Sequence, residues 1–364
     1  MDITLPRLRM TGRKTVNDFE IEKPQNKRKS WRVIIFLVLL GLTVNLVLPK
    51  MMDIRHAFEV IREMTWWAVA LAVFAEALAY LGYGYCLRAL LDLQNHRLSV
   101  VEGAMISMAS ASIGLVAGGW IGSAAATYRF VNKSGASKSS ATIAGILPSM
   151  LVNGAIILVS VIGITFLAIT ARITQSQLVQ YGFFLLFLII FTYGYLLALV
   201  FPTGTYKLVN WALWNWARLR KKPYDPAKTK QNVNRMLQAW KSLRKGSWFR
   251  PLLGAIAYIL FDMACLYLVL FAAGHQAHLG VLFAGYGIPF LIAKIAFILP
   301  GGVGVIEVSM NAILSSLGVP AEISIVAVIG YRLISFWLTT FIGLSLSPFL
   351  TRKKSVQPDE IPAI

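Results

Sequence analysis

Seven ionisable side chains, Glu76, Arg88, Arg129, Asp262, Lys294, Glu307 and Arg332, fall within stretches otherwise made of aliphatic, aromatic and small residues. A charge at the centre of a bilayer costs about 2.5–3.5 kcal/mol on insertion scales, so each needs an opposite charge or a wet surface. Pairing Glu307 or Asp262 with Arg332 or Lys294 meets most of that need and leaves a polar site able to take a zwitterionic or anionic head group. Glu307 and Arg332 are the first candidates for such a site, with Glu76, Asp262, Arg129 and Lys294 behind them. In the alternative reading these pairs only lock helices together. Arg88, near the end of its apolar run, is expected to snorkel to the interface.

Glu307 closes the run Ile298-Leu299-Pro300-Gly301-Gly302-Val303-Gly304-Val305-Ile306-Glu307. Its proline and three glycines break a helix where hydrocarbon offers no hydrogen bonds, and such a break survives only against protein or a watery cavity. Pro300, Gly301, Gly302 and Gly304 are therefore candidate binding residues. Free amides at the start of the helix expected after Gly302 suit a phosphate oxygen. The competing reading is a glycine-rich kink that lets helices pack closely.

Other chemistry finds little support. His275 and His278 have a metal-compatible spacing, but they sit in a short loop without a nearby acid or cysteine. No His-Glu-x-x-His stretch, Gly-x-Ser-x-Gly elbow or Walker loop occurs. Cys86 and Cys265 lie in separate apolar runs, which gives no disulfide framework or thiolate site. No catalytic residue, metal or cofactor is expected.

The elements that must carry these residues follow from composition. Of the 364 residues 57% are hydrophobic and 14% charged, and several apolar runs approach the length of about 20 residues that spans a bilayer. The chain reads as an all-α, polytopic membrane helix bundle. Its formal charge of +19 concentrates in residues 1–30, in 207–250 and after 350. That is the pattern of cytoplasmic segments under the positive-inside rule, so nucleic acid is excluded as a partner. Residues 1–30 lack the apolar core and cleavage site of a secretory signal and read as a mostly disordered cytosolic tail.

Residues 31–49 form the first expected span, and 51–64 an amphipathic helix on the outer surface. Residues 65–90 return inward with Glu76 near the middle. Residues 100–130 are split by Gly114, Gly118, Gly119 and Gly122 into two short halves, and the next loop carries Arg129, Lys133 and Lys138. A segment that starts and ends inside crosses an even number of times, so a re-entrant hairpin or two thin crossings are expected. Residues 141–170, with Pro148 as a kink, go outward and 178–201 come back.

The loop 207–250 holds twelve Lys or Arg and one acid, Asp225. Val233, Met236, Leu237, Trp240 and Leu243 mark one face of a basic helix there, suited to anionic lipid. Orientation by positive charge alone explains the loop as well. Residues 251–273 run outward with Asp262 at the centre, 280–317 are the second interrupted segment, and 322–350 lead to a cytosolic tail, 351–364. The domain is thus 31–350, with six full spans and two broken hairpins entering from opposite faces.

Gly118-Gly119-Trp120-Ile121-Gly122 aligns without gaps with Pro300-Gly301-Gly302-Val303-Gly304, sharing Gly at the second and fifth positions. Each follows a span with one central acid. The order of span, broken hairpin and span then occurs twice in opposite orientation, the inverted-repeat plan of secondary transporters.

The stretch Leu299-Pro300-Gly301-Gly302-Val303-Gly304-Val305-Ile306-Glu307, followed by Tyr331-Arg332-Leu333-Ile334-Ser335-Phe336-Trp337, resembles the membrane domain of the lysylphosphatidylglycerol synthetase/flippase family and its stand-alone relatives. In pattern the resemblance extends over about residues 31–350. The family often has a Pro-Gly-x-x-Gly-Glu run followed by Arg in the first half; here Gly118 replaces the proline and Ser123 the glutamate, while Arg129 is retained. The departure shifts weight onto Glu307. In two-part members a following soluble domain attaches an amino acid to phosphatidylglycerol, and the membrane part is implicated in moving the product. Only fourteen residues follow Leu350, so the resemblance implies a translocator or lipid-handling protein without synthetase activity.

The leading expectation is a multi-pass protein of the cytoplasmic (inner) membrane, with both termini cytoplasmic, that moves a phospholipid or lipid-linked head group between leaflets by alternating access. Its partners would be membrane lipids. An accessory or scaffold subunit recruiting a lipid-synthesising partner protein through the basic loop is the first alternative. An intramembrane lipid-modifying enzyme using Glu307 or Asp262 as base is the second.

Overall fold

Backbone amides have no water to bind inside hydrocarbon, so a chain this apolar satisfies them within helices. Every described element is helical in the computed structural model, which describes residues 54–117, 119–170, 248–295 and 302–352 and scattered positions between 176 and 226. The expected first span, the span 178–201, most of the basic loop and both tails lie outside the described residues.

The elements in chain order are α1 Ile54–Glu63, α2 Trp66–Asp92, α3 Val100–Ala117, α4 Trp120–Lys133, α5 Lys138–Ile169, α6 Phe249–Ala272, α7 Leu279–Ile295, α8 Val305–Ser316 and α9 Ala321–Arg332. A π-helical segment, Leu333–Leu338, then joins α9 to α10, Thr339–Arg352. Four of these rods are long and apolar enough to cross a membrane: α2, α5, α6 and the composite Ala321–Thr351. Their outward faces carry Trp66, Phe74, Leu158, Phe261 and Phe341, which are exposed, as lipid-facing side chains are.

At the centre α2 and α6 cross antiparallel. Glycine brings their backbones together, since a Cβ at Gly82 would stand 2.7 Å from the Tyr258 nitrogen and one at Gly254 2.5 Å from that of Cys86. This is the small-residue contact of membrane helices, where dispersion and close approach replace the hydrophobic effect. Tyr80 and Tyr83 stack edge-on against Tyr258, with centroids 6.0 and 5.4 Å away.

The two interrupted segments both fold as helical hairpins. Ser99 caps the first, its Oγ accepting from the Glu102 amide at 3.1 Å. α3 ends at Ala117, and α4, capped by Gly119, returns along it so that entry and exit meet where His96 Nε2 lies 3.3 Å from Ser134 Oγ. In the second hairpin α8 runs back along α7; Gly302 lies over Ala293 and Gly285 over Leu314. The last span contains the π segment where unbroken α-helix was expected from hydropathy, because one additional residue per turn leaves no mark on an apolar pattern.

Each hairpin leans on a distant rod. α3 packs against α10, where Gly343 lies on Met108 and Ser112 Oγ donates to the Thr340 carbonyl at 3.0 Å. α7 packs against α5, where Gly163 lies on Phe283 and Gly287 on Ser160. One end of the bundle is tied by the Thr65 amide donating to the Ala272 carbonyl at 3.0 Å, the other by Lys133 Nζ donating to the Thr351 carbonyl at 2.8 Å.

Candidate functional site

Helix α8 starts on Gly304, whose φ of +87° is a left-handed conformation that a side chain would strain. Three residues on, Glu307 turns its Oε2 back to accept the Gly304 amide at 2.7 Å. A carboxylate there satisfies an otherwise unpaired donor and complements the positive end of the helix. The other oxygen, Oε1, accepts from Arg332 Nε at 2.7 Å. Both partners are buried, Glu307 at 7% and Arg332 at 4% exposure. The Arg332 guanidinium also lies 4.1 Å above the centroid of Phe336, a side chain of the π segment. One acid thus clasps the second break to the end of α9.

Asp262, in the middle of α6, is held differently. Tyr286 of α7 donates to Oδ2 at 2.7 Å and Tyr331 of α9 to Oδ1 at 2.8 Å. From α2 the Glu76 carboxyl comes within hydrogen-bonding contact of the same aspartate. Both acids are only 3% exposed, and Glu76 Oε2 has no hydrogen-bond donor among the described residues.

Asp262, Tyr331, Arg332 and Phe336 of these groups line a cavity of about 380 Å³. Gly114, Gly119 and Ser123 of the first hairpin line it together with Gly302 and Ile306 of the second, so the two breaks face one space. Asp262, Lys294 and Arg332 contribute charge, and Ser112, Thr339, Thr340, Tyr80 and Tyr331 contribute hydroxyls. Lys294 has no carboxylate partner among the described residues. The walls are otherwise apolar, including Leu115, Phe290 and Phe336. A buried arginine, an exposed lysine at the cavity wall, hydroxyls and broken backbone around one cavity are what a charged head group requires.

The clasp, the break before it and the π segment after it all fall within residues 25–343, which match the family model of the lysylphosphatidylglycerol synthase transmembrane region. The chain belongs to that family. No curated protein matches it. The matched region includes every residue of the cavity and ends within α10.

Within this transmembrane region the structure brings together Glu76, Asp262, Lys294, Gly302, Gly304, Glu307 and Arg332. Of the pairings open to the acids, it selects Glu307 with Arg332 and gives Asp262 to two tyrosines. Pro300 and Gly301 lie outside the described residues. Arg129 stands apart, in a separate groove of about 510 Å³ with Phe130 and Lys133. That position follows from α4, which carries Arg129 away from the break toward the tied end of the bundle.

Two expectations need correcting. The short helix begins after Gly304 and its first amide is already taken by Glu307, so it offers a phosphate less than an open helix start would. The ungapped alignment set Gly119 against Gly301, yet the helix starts pair Gly119, with φ of +67°, with Gly304. Register here is fixed by where glycine reverses the backbone.

Arg88 pairs with Asp92 at 3.6 Å on a half-exposed surface. His278 packs on Phe166 with centroids 5.0 Å apart.

The tyrosines were not singled out from the sequence. Glu76, Tyr80 and Tyr83 share one helical face, which was a legible signal. Tyr286 and Tyr331 reach Asp262 from 24 and 69 residues away, and no spacing announces that.

Proposed function

We propose that this protein moves a phospholipid, or a lipid-linked head group with an anionic or zwitterionic phosphate, between the leaflets of the cytoplasmic membrane. The observation that carries the reading is the single cavity lined by both glycine breaks and by Lys294 and Arg332. Lys294 takes the phosphate, since Arg332 already gives one donor to Glu307. The hydroxyls of Ser112, Thr339 and Thr340 replace water around the rest of the head group. The volume holds a head group and excludes two acyl chains, which stay in lipid outside. No covalent chemistry is assigned to the membrane region in this reading.

The broken segments act as re-entrant hairpins of an inverted repeat. Supporting this is the exchange in packing: α3 lies on the last rod of the second half, and α7 on the last rod of the first. Alternating access follows when the two halves rock about the α2–α6 crossing. The end carrying Arg97, Arg129, Lys133, Lys138, Arg250 and Arg352 faces the cytoplasm under the positive-inside rule.

Vesicles reconstituted with the protein and fluorescently tagged phosphatidylglycerol, quenched from outside by dithionite, test the transfer. Lys294→Gln is expected to slow it by about tenfold or more, the equivalent of a charge-assisted hydrogen bond of about 1.5–3 kcal/mol. An unchanged rate removes Lys294 from the path. For topology, Cys86 and Cys265 are buried, so single cysteines report cleanly. A cysteine placed by Ser134→Cys should label only from the cytosol and one placed by Ser316→Cys only from outside; labelling of both from one face defeats the inverted arrangement.

A further inference from the structure

The geometry points to Glu76 and Asp262 as a proton-binding pair that couples the transmembrane proton gradient to lipid transfer. This rests on the translocation reading, and it assigns these acids to the driving ion and not to the cargo.

The hydrogen bonds make the case. Asp262 accepts one tyrosine hydroxyl on each oxygen, which leaves it acceptor capacity and nothing to donate. The carboxyl it abuts, Glu76, is buried at 3% exposure with Oε2 unmatched by any donor among the described residues. Two bare carboxylates in contact at this depth would repel, with neither hydrogen-bonded to the other. One proton on Glu76 converts the contact into an O–H donating to Asp262 and satisfies both groups. A sodium ion fits less well, because the Asp262 oxygens already face two hydroxyl hydrogens.

Charge balance gives the same count. Counting Asp262, Lys294 and Arg332 of the cavity wall with Glu307, which pairs with Arg332, and Glu76, which abuts Asp262, gives three acids and two cations, so one proton makes the set neutral. The other titratable groups facing the pair are Tyr80 on α2, Tyr258 and Cys265 on α6, Tyr286 on α7 and Tyr331 on α9. The packed helices α3 and α5 carry titratable groups only in their first turns, Glu102 and Lys138. The π segment has none, and α10 has only Arg352.

Coupling follows from position. Glu76 belongs to α2 and Asp262 to α6, the two rods whose crossing joins the halves. The proton binds these rods together, and its loss to water through the cavity, which Asp262 lines, sets like charges against each other. The protonation state therefore biases the angle between the halves.

Infrared spectroscopy of the purified full chain tests the proton directly. At neutral pH the wild type should show a carbonyl stretch of a protonated carboxylic acid that shifts in heavy water, and Glu76→Gln should lack it. Absence of the band in the wild type, or its persistence in Glu76→Gln, overturns the assignment. Glu76→Asp should retain the band, which separates loss of the acid from loss of the fold.

The coupling is read in vesicles with tagged phosphatidylglycerol under an imposed pH gradient. At one proton per lipid, each pH unit should drive about a tenfold inner-to-outer ratio. The Glu76→Gln protein should give no gradient-dependent ratio. Transfer indifferent to the gradient in the wild type, or driven by sodium in its place, defeats the coupling. No transfer of tagged phosphatidylglycerol or phosphatidylethanolamine under any gradient, with the infrared band intact, defeats the translocation reading and the coupling with it, while the proton pair stands.

Discussion

Glu307→Ala is expected to lower the unfolding free energy by about 3–5 kcal/mol, because Arg332 is left buried without its partner carboxylate. A second contribution comes from the Gly304 amide, which loses its acceptor at the start of α8. Equilibrium unfolding in mixed micelles measures the sum. Glu307→Ala combined with Arg332→Met should recover much of the loss, since removing both charges leaves neither stranded. Glu307→Gln should fall between, as an amide oxygen can still accept from Gly304 but cannot neutralise Arg332. A loss no larger than the roughly 1 kcal/mol of an exposed pair would show that water reaches the clasp in both states. The expected size matters for function, because the same bond fixes the rim of the cavity and the rotamer of the arginine that faces it.

Asp262→Leu should be similarly severe for a different reason. The hydroxyls of Tyr286 and Tyr331, both essentially without exposure, lose their acceptor, at about 1–3 kcal/mol for each buried group left unsatisfied. Adding Tyr286→Phe and Tyr331→Phe to Asp262→Leu should restore most of that, because neither ring then carries an unmatched hydroxyl, while the Glu76 carboxyl still lacks the aspartate it abuts. The three substitutions share one network and will not add. Failure of the triple variant to recover would mean that leucine does not fit between α6 and α7. Asp262→Asn, which keeps the shape and one carbonyl acceptor, separates packing from hydrogen bonding.

How much of this could be read in advance depends on the kind of signal. The breaks were legible because glycines cluster there within an apolar run, and α4 and α8 start on two of them, Gly119 and Gly304. Glu307 with Arg332 was one of four pairings that charge alone allowed; only the fold chose among them. The cage around Asp262 was hidden, since tyrosines are common in membrane helices and the contacts span long separations in sequence. The π segment was hidden too, although Ser335 and Phe336 reach the cavity from it. Arg129 entered as the arginine retained from the family's first-half pattern, and α4 carries it to a separate groove, which no sequence pattern announces.

The seat of the first hairpin sets an order on biogenesis. α3 rests on α10 through Gly343 and Thr340, at the far end of the polypeptide. While the ribosome is still adding residues, the hairpin that emerges early has no permanent neighbour on that side and must wait in lipid, or against the insertion machinery, until the last helix arrives. Truncations just ahead of Thr339 would then yield a chain that is threaded into the bilayer but unfinished, and so a natural target for membrane quality control.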